Sequence, residues 1–243
     1  VHGGVGHVHA RQLADHGLIL ENGLQQTLTH LRLIGGIRRQ ELLLGGDILH
    51  NGGDVVVVGA RAPEHRAVHT VLRRSIESVA GSKSIKVIDE IENEAYRDEP
   101  LMLLYHINLG YPFLTPAMKF YIPTKKVTPR DEASKGHEDR YDRMDKPKKN
   151  EPEYVFIHDM KKTKDKKTWV LAVNPDLKLG LKIQFNMKNL PYFMEWKSTA
   201  AGDYVIGLEP SNSSVYGRGL HEKNGDLHML KPFEKERNEL IFT

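Results

Sequence analysis

From residue 84 onward the chain is cut into short apolar runs, and none of them has the three-to-four-residue repeat of an amphipathic helix. Residues 85–91, 102–109, 120–123, 154–158, 169–173, 181–185, 192–197, 204–208, 227–230 and 238–242 each read as a strand. The run 102–109 is apolar enough to be buried on both faces, and 169–173 with 181–185 reads as a hairpin joined through Asn174-Pro175-Asp176 and Gly180. Residues 124–153, charged and interrupted by Pro129, Pro147 and Pro152, read as a long surface loop. Strands recurring at roughly 8–15-residue intervals, with no helix to carry a parallel crossover, predict an all-β chain folded as a large antiparallel β-sandwich.

Residues 1–74 are made of different material. They contain no Lys, Ser, Phe, Tyr, Trp or Met, yet hold 8 of the 13 His and 12 of the 21 Gly. Net charge does not separate the two parts, at +2 for residues 1–74 and +1 for the remainder. A core without an aromatic ring has to be filled by Leu, Ile, Val and Ala alone. Val55-Val56-Val57-Val58, following the turn-forming Asn51-Gly52-Gly53-Asp54, reads as a short buried strand within this part. The chain therefore divides into a compositionally distinct segment, 1–74, and a β-sandwich domain, 75–243. A separate module, a divergent part of the same domain and a stretch of foreign coding all fit the first.

Several function classes are disfavoured by composition. Lys and Arg total 35 against 32 Asp and Glu, and a net charge of +3 gives no cationic excess for holding nucleic acid or an anionic membrane. The run Lys161, Lys162, Lys164, Lys166 and Lys167 has no interleaved aromatic ring and reads as a solvated turn. Zero Cys removes disulfides and thiolate metal sites and suits a reducing compartment. No run approaches the ~18 apolar residues of a spanning helix, and no basic-then-apolar leader opens the sequence; the expectation is a soluble, cytoplasmic protein. Gly3-Gly4-Val5-Gly6 lacks the preceding strand and spacing of a phosphate or dinucleotide loop. His7 and His9 lack an acidic partner at ligand spacing, so neither a metal nor a cofactor is expected.

What remains is a set of polar residues set into apolar strands. His106 follows Met102-Leu103-Leu104-Tyr105, with Asn108 two places on and hence on the same face. His158 and Asp159 end one apolar run, and Glu209 ends Tyr204-Val205-Ile206-Gly207-Leu208, followed at once by Pro210. A carboxylate at the end of a buried strand is costly without a partner or a purpose. Either paired structural ions or the rim of a polar cleft would account for these positions. Trp196 beside Lys197 adds a ring and a cation, a combination suited to a sugar face and its hydroxyls.

These segments resemble the aldose 1-epimerases (galactose mutarotase-like proteins), most closely a less characterised bacterial branch. Tyr105-His106-Ile107-Asn108-Leu109-Gly110-Tyr111-Pro112 is similar to the strand carrying the acid histidine of that family. Leu190-Pro191-Tyr192 through Glu195-Trp196-Lys197, then Gly202-Asp203-Tyr204-Val205-Ile206-Gly207-Leu208-Glu209-Pro210, resemble the branch's C-terminal signature. The resemblance spans about residues 84–242. It implies a galactose mutarotase-like supersandwich with a sugar cleft, incomplete at the N-terminus because the strands that bring an Arg to the cleft are not recognisable. It implies His106 as general acid and Glu209 as general base, with His158 and Asp159 holding sugar hydroxyls. Val1-His2-Gly3-Gly4 is similar to the element that supplies a second histidine, which would be His2.

Anomer interconversion suits such residues. A base takes the proton of the anomeric hydroxyl while an acid protonates the ring oxygen; the open-chain sugar rotates and the roles reverse. The substrate expected is a small sugar, and oligomeric state is left open. A carbohydrate-binding sandwich without turnover, an inactive fragment and a metal-dependent sugar isomerase are the competing expectations.

Overall fold

The computed structural model describes residues 69–243 in full and, before them, the backbone of the strands β1 (Leu31–Leu33), β2 (Leu49–His50) and β3 (Asp54–Ala60). The strands that follow are β4 (Thr70–Ser78), β5 (Ile85–Asn93), β6 (Glu99–Pro100), β7 (Leu103–Tyr105), β8 (Ile107–Leu109), β9 (Lys119–Tyr121), β10 (Thr124–Pro129), β11 (Glu153–Met160), β12 (Lys167–Asn174), β13 (Leu179–Asn186), β14 (Tyr192–Ser198) and β15 (Val205–Ser211). A short helix α1 (Arg218–Asn224) precedes β16 (Met229–Leu230) and β17 (Lys235–Phe242). Two antiparallel sheets carry almost all of them. The first runs β1-β7-β15-β14-β11-β10, with β8 also on β15; the second runs β2-β3-β4-β5-β17-β13-β12-β9. The expected antiparallel β-sandwich is what forms.

Alternation of side chains decides which residues meet between the sheets. Ile206 and Leu208 of β15, Phe193 of β14 and Met160 of β11 point inward from the first sheet. They meet Ile91 of β5, Ile183 and Phe185 of β13 and Leu240 of β17 from the second. Each fully buried side chain of this size contributes about 1.5–3 kcal/mol.

Three sequence expectations change. Residues 124–129 are not loop: they pair with β11 as the edge strand β10, and the exposed Lys125 and Lys126 there blunt the edge against further pairing. The run 102–109 is split at His106 into β7 and β8. Leu104 pairs Ser211 and Ile107 pairs Leu208, so the intervening Tyr105 faces Pro210, which has no N–H to donate to the ladder. The third is α1, a two-turn helix that the apolar pattern gave no sign of.

A polar cluster joins the two sheets inside the core. Arg74 of β4 makes a bidentate pair with Asp89 of β5, at 2.7 and 2.6 Å, and Tyr105 of β7 reaches across from the other sheet to donate its hydroxyl to Asp89 at 2.7 Å. Asp89 is 0% and Arg74 3% exposed. The change in composition near residue 75 thus falls within β4, whose Arg74 is tied to both sheets. Burial, and then the Asp89 carboxylate, hold the Tyr105 phenol well above its ordinary value near 10. The folded chain keeps that proton where the unfolded chain releases it, so its stabilising share is complete below about pH 10 and is lost as pH rises further.

Candidate functional site

The two split strands place His106 and Glu209 face to face. The register that pairs Leu104 with Ser211 and Ile107 with Leu208 sets His106 directly across from Glu209. Both side chains lie on the outer face of the first sheet, the face turned away from Ile206, Leu208 and the core. His106 Nε2 stands 2.9 Å from Glu209 Oε1, with the imidazole 24% and the carboxylate 5% exposed. The next row along this face is Asn108 of β8, Gly207 of β15 and Trp196 of β14, which are register partners in turn.

Gly207 is the position that makes the contact fit. A Cβ there would stand 2.8 Å from Glu209 Oε1, 2.8 Å from His106 Cε1 and 3.2 Å from His106 Nδ1. The His106 ring therefore leans over a place with no side chain, and its other neighbour is the Trp196 indole, edge-on at 5.4 Å between centroids. His106 Nδ1 and Asn108 Oδ1 are buried without a hydrogen-bond partner. Such orphaned atoms cost about 1–3 kcal/mol each. Gly207→Ala is expected to destabilise the chain by about 1–3 kcal/mol in urea unfolding and to shift the His106 imidazole resonances; unchanged resonances would show the pair not to depend on this gap.

The remaining sequence candidates divide by strand face. Asn108 and Trp196 stand with His106 and Glu209. Lys197 and His158 do not: each is one residue out of phase and points to the interior, which corrects their assignment to a sugar. There Lys197 Nζ stands 3.0 Å from Glu195 Oε1 and donates to the carbonyls of Arg140 and Arg143 at 2.8 and 2.9 Å. His158 Nε2 is 3.7 Å from Glu195 Oε2, its ring packed edge-on against Tyr141 and Phe193. This interior cluster clamps the 140–143 turn onto the sheet. Asp159 does share the outer face, but at its exposed margin, paired with Lys125 at 3.4 Å. His2 lies outside the described residues. Among those described, no three His, Asp or Glu converge as a metal group, and no helix is long and apolar enough to cross a membrane.

Gly207, Met194 and Glu195 were not singled out in the sequence. Met194 is the register partner of Glu209 and sits fully buried beside it. Alternation from Glu209 would have placed Gly207 on the same face, but a residue without a side chain gives no chemical signal of its own.

Solved structures share this architecture. A candidate aldose 1-epimerase from Klebsiella pneumoniae superposes with a TM-score of 0.71 at 24% identity, over 79% of this chain and 50% of that one. A galactose mutarotase-like protein from Clostridium acetobutylicum gives 0.57 at 16% identity, over 80% and 63%. A candidate aldose 1-epimerase from Escherichia coli K12 gives 0.51 at 15%, over 80% and 66%. The chain thus spans between half and two thirds of these relatives, and at such identities the likeness is one of fold. No curated protein matches the sequence. Residues 49–243 match the family described as a domain of unknown function, DUF4432, and the chain belongs to that family.

Proposed function

We propose that the chain binds a small sugar on the outer sheet face at His106, Glu209 and Trp196 and interconverts its anomers by general acid–base catalysis, His106 serving as acid and Glu209 as base. The observation that carries this reading is the 2.9 Å contact between the two groups above a position without a side chain. Adjacency suits the chemistry, because the two oxygens that exchange protons, the anomeric hydroxyl and the ring oxygen, are bonded to the same carbon. An acid and a base that are neighbours can serve both oxygens at once, and a bound pyranose would replace their direct contact with one bond to each oxygen.

The surroundings support the same reading. Asn108 Oδ1 is an acceptor without a partner, and the half-buried Trp196 offers an indole face to the apolar face of a sugar ring. The fold likeness to aldose 1-epimerases and a galactose mutarotase-like protein adds the substrate class. The absence of Cys is compatible with a reducing compartment, and the cytoplasm is the setting proposed for the reaction. Polarimetry of freshly dissolved α-D-galactose and α-D-glucose tests the proposal: the chain is expected to accelerate mutarotation of one of them saturably. Saturable sugar binding in calorimetry without any acceleration would mark a binding module instead.

A further inference from the structure

Beyond β15 the chain runs through residues 212–217 into α1, and Gly225, at a φ of +71°, ends the helix in the left-handed conformation that favours glycine. The reversal lets the Asp226 N–H donate to the His221 carbonyl at 3.1 Å and returns the Asp226 side chain to the His221 ring. Three side chains then fall in line: Ser214 Oγ lies 2.9 Å from His221 Nε2, and His221 Nδ1 lies 2.9 Å from Asp226 Oδ1. A fourth contact settles the tautomer. The backbone N–H of Ser214 donates to the same Nε2 at 3.0 Å, so Nε2 carries the lone pair while Nδ1 carries the proton and donates it to Asp226.

We propose that Ser214 is an activated nucleophile that accepts an acyl group from small carboxylic esters, with His221 as its base and Asp226 as the carboxylate that orients the ring. The N–H and the hydroxyl of Ser214 share the single Nε2 lone pair; bracing the loop would need only the N–H and Asp226, and the hydroxyl is the additional feature, in the nucleophile–base–orienter order of acyl-transfer sites. His221 is 3% exposed and its ring is covered edge-on by Tyr192, which shields the imidazole from bulk water, while Ser214 is half-buried. In the step, Oγ bonds to the acyl carbon, the ester C–O bond breaks, and the Oγ proton passes through Nε2 to the leaving alkoxide. Water then attacks the acyl carbon, giving its proton to Nε2, and the carboxylic acid leaves as Oγ recovers a proton. None of these groups belongs to the His106–Glu209 site.

A fluorophosphonate probe tests this on the whole chain, since Oγ displaces fluoride from phosphorus by the same first step. Intact mass is expected to show one phosphonyl adduct per chain, mapped by peptide digestion to Ser214 and absent in Ser214→Ala. Asp226→Asn, which keeps an acceptor for Nδ1–H but removes the charge that stabilises the ring once it has taken the Oγ proton, is expected to label about 10²–10⁴-fold more slowly with a cooperative thermal melt. A parent chain that melts cooperatively yet stays unlabelled, an adduct on another residue, or an Asp226→Asn variant that labels at the parental rate would each overturn the proposal.

Discussion

Replacing Glu209 with Gln is expected to slow anomer interconversion by about 10²–10⁴-fold while sugar affinity stays within a few-fold of the parent. The amide keeps the size of the carboxylate and its contact with His106 but cannot take a proton from the anomeric hydroxyl. The substitution therefore separates basicity from shape. Glu209 is 4% exposed and sits between His106, Gly207 and Met194, so a smaller replacement would open a cavity and confuse the two effects. Polarimetry gives the rate and calorimetry the affinity. A variant that turns over sugar at the parental rate removes Glu209 from the base role, and one that loses binding as well assigns it to holding the sugar rather than to proton transfer.

The second large effect is on stability. Asp89→Ala is expected to cost about 3–5 kcal/mol in urea unfolding, because it strands Arg74 in the core and leaves the Tyr105 hydroxyl without its acceptor. The combined variant Arg74→Met, Asp89→Leu, Tyr105→Phe is expected to recover most of that loss, since it removes the charges together with their partners. If the single variant costs under about 1 kcal/mol, water reaches the cluster and it does not pin the sheets as described. The cluster also bears on the site. Tyr105 immediately precedes His106, at the point where Pro210 interrupts the ladder. The Tyr105 hydroxyl on Asp89 ties the strand to the second sheet at that point.

How much of this could be read beforehand depends on the period of the sheet. Apolar runs and turn residues were enough for the antiparallel sandwich, because each strand carries its own alternation. They were not enough for 124–129, where an exposed edge strand has few apolar residues to mark it. Asp89 was equally hidden: it occupies the inward phase of β5 between Val87 and Ile91, but its partners Arg74 and Tyr105 come from other strands. Within the site, His106 and Glu209 could be singled out as polar residues in apolar strands. The pairs Trp196-Lys197 and His158-Asp159 misled, because neighbours in a strand point to opposite faces. Lys197 and His158 went inward to Glu195, while Trp196 stayed with His106.

The most direct measurement is a crystal structure of the chain soaked with α-D-galactose or α-D-glucose. The expected result is a pyranose on the sheet face beside Trp196, its anomeric hydroxyl on Glu209 and its ring oxygen on His106, with the 2.9 Å contact between the two side chains opened. A sugar seated elsewhere while that contact stays closed would contradict it.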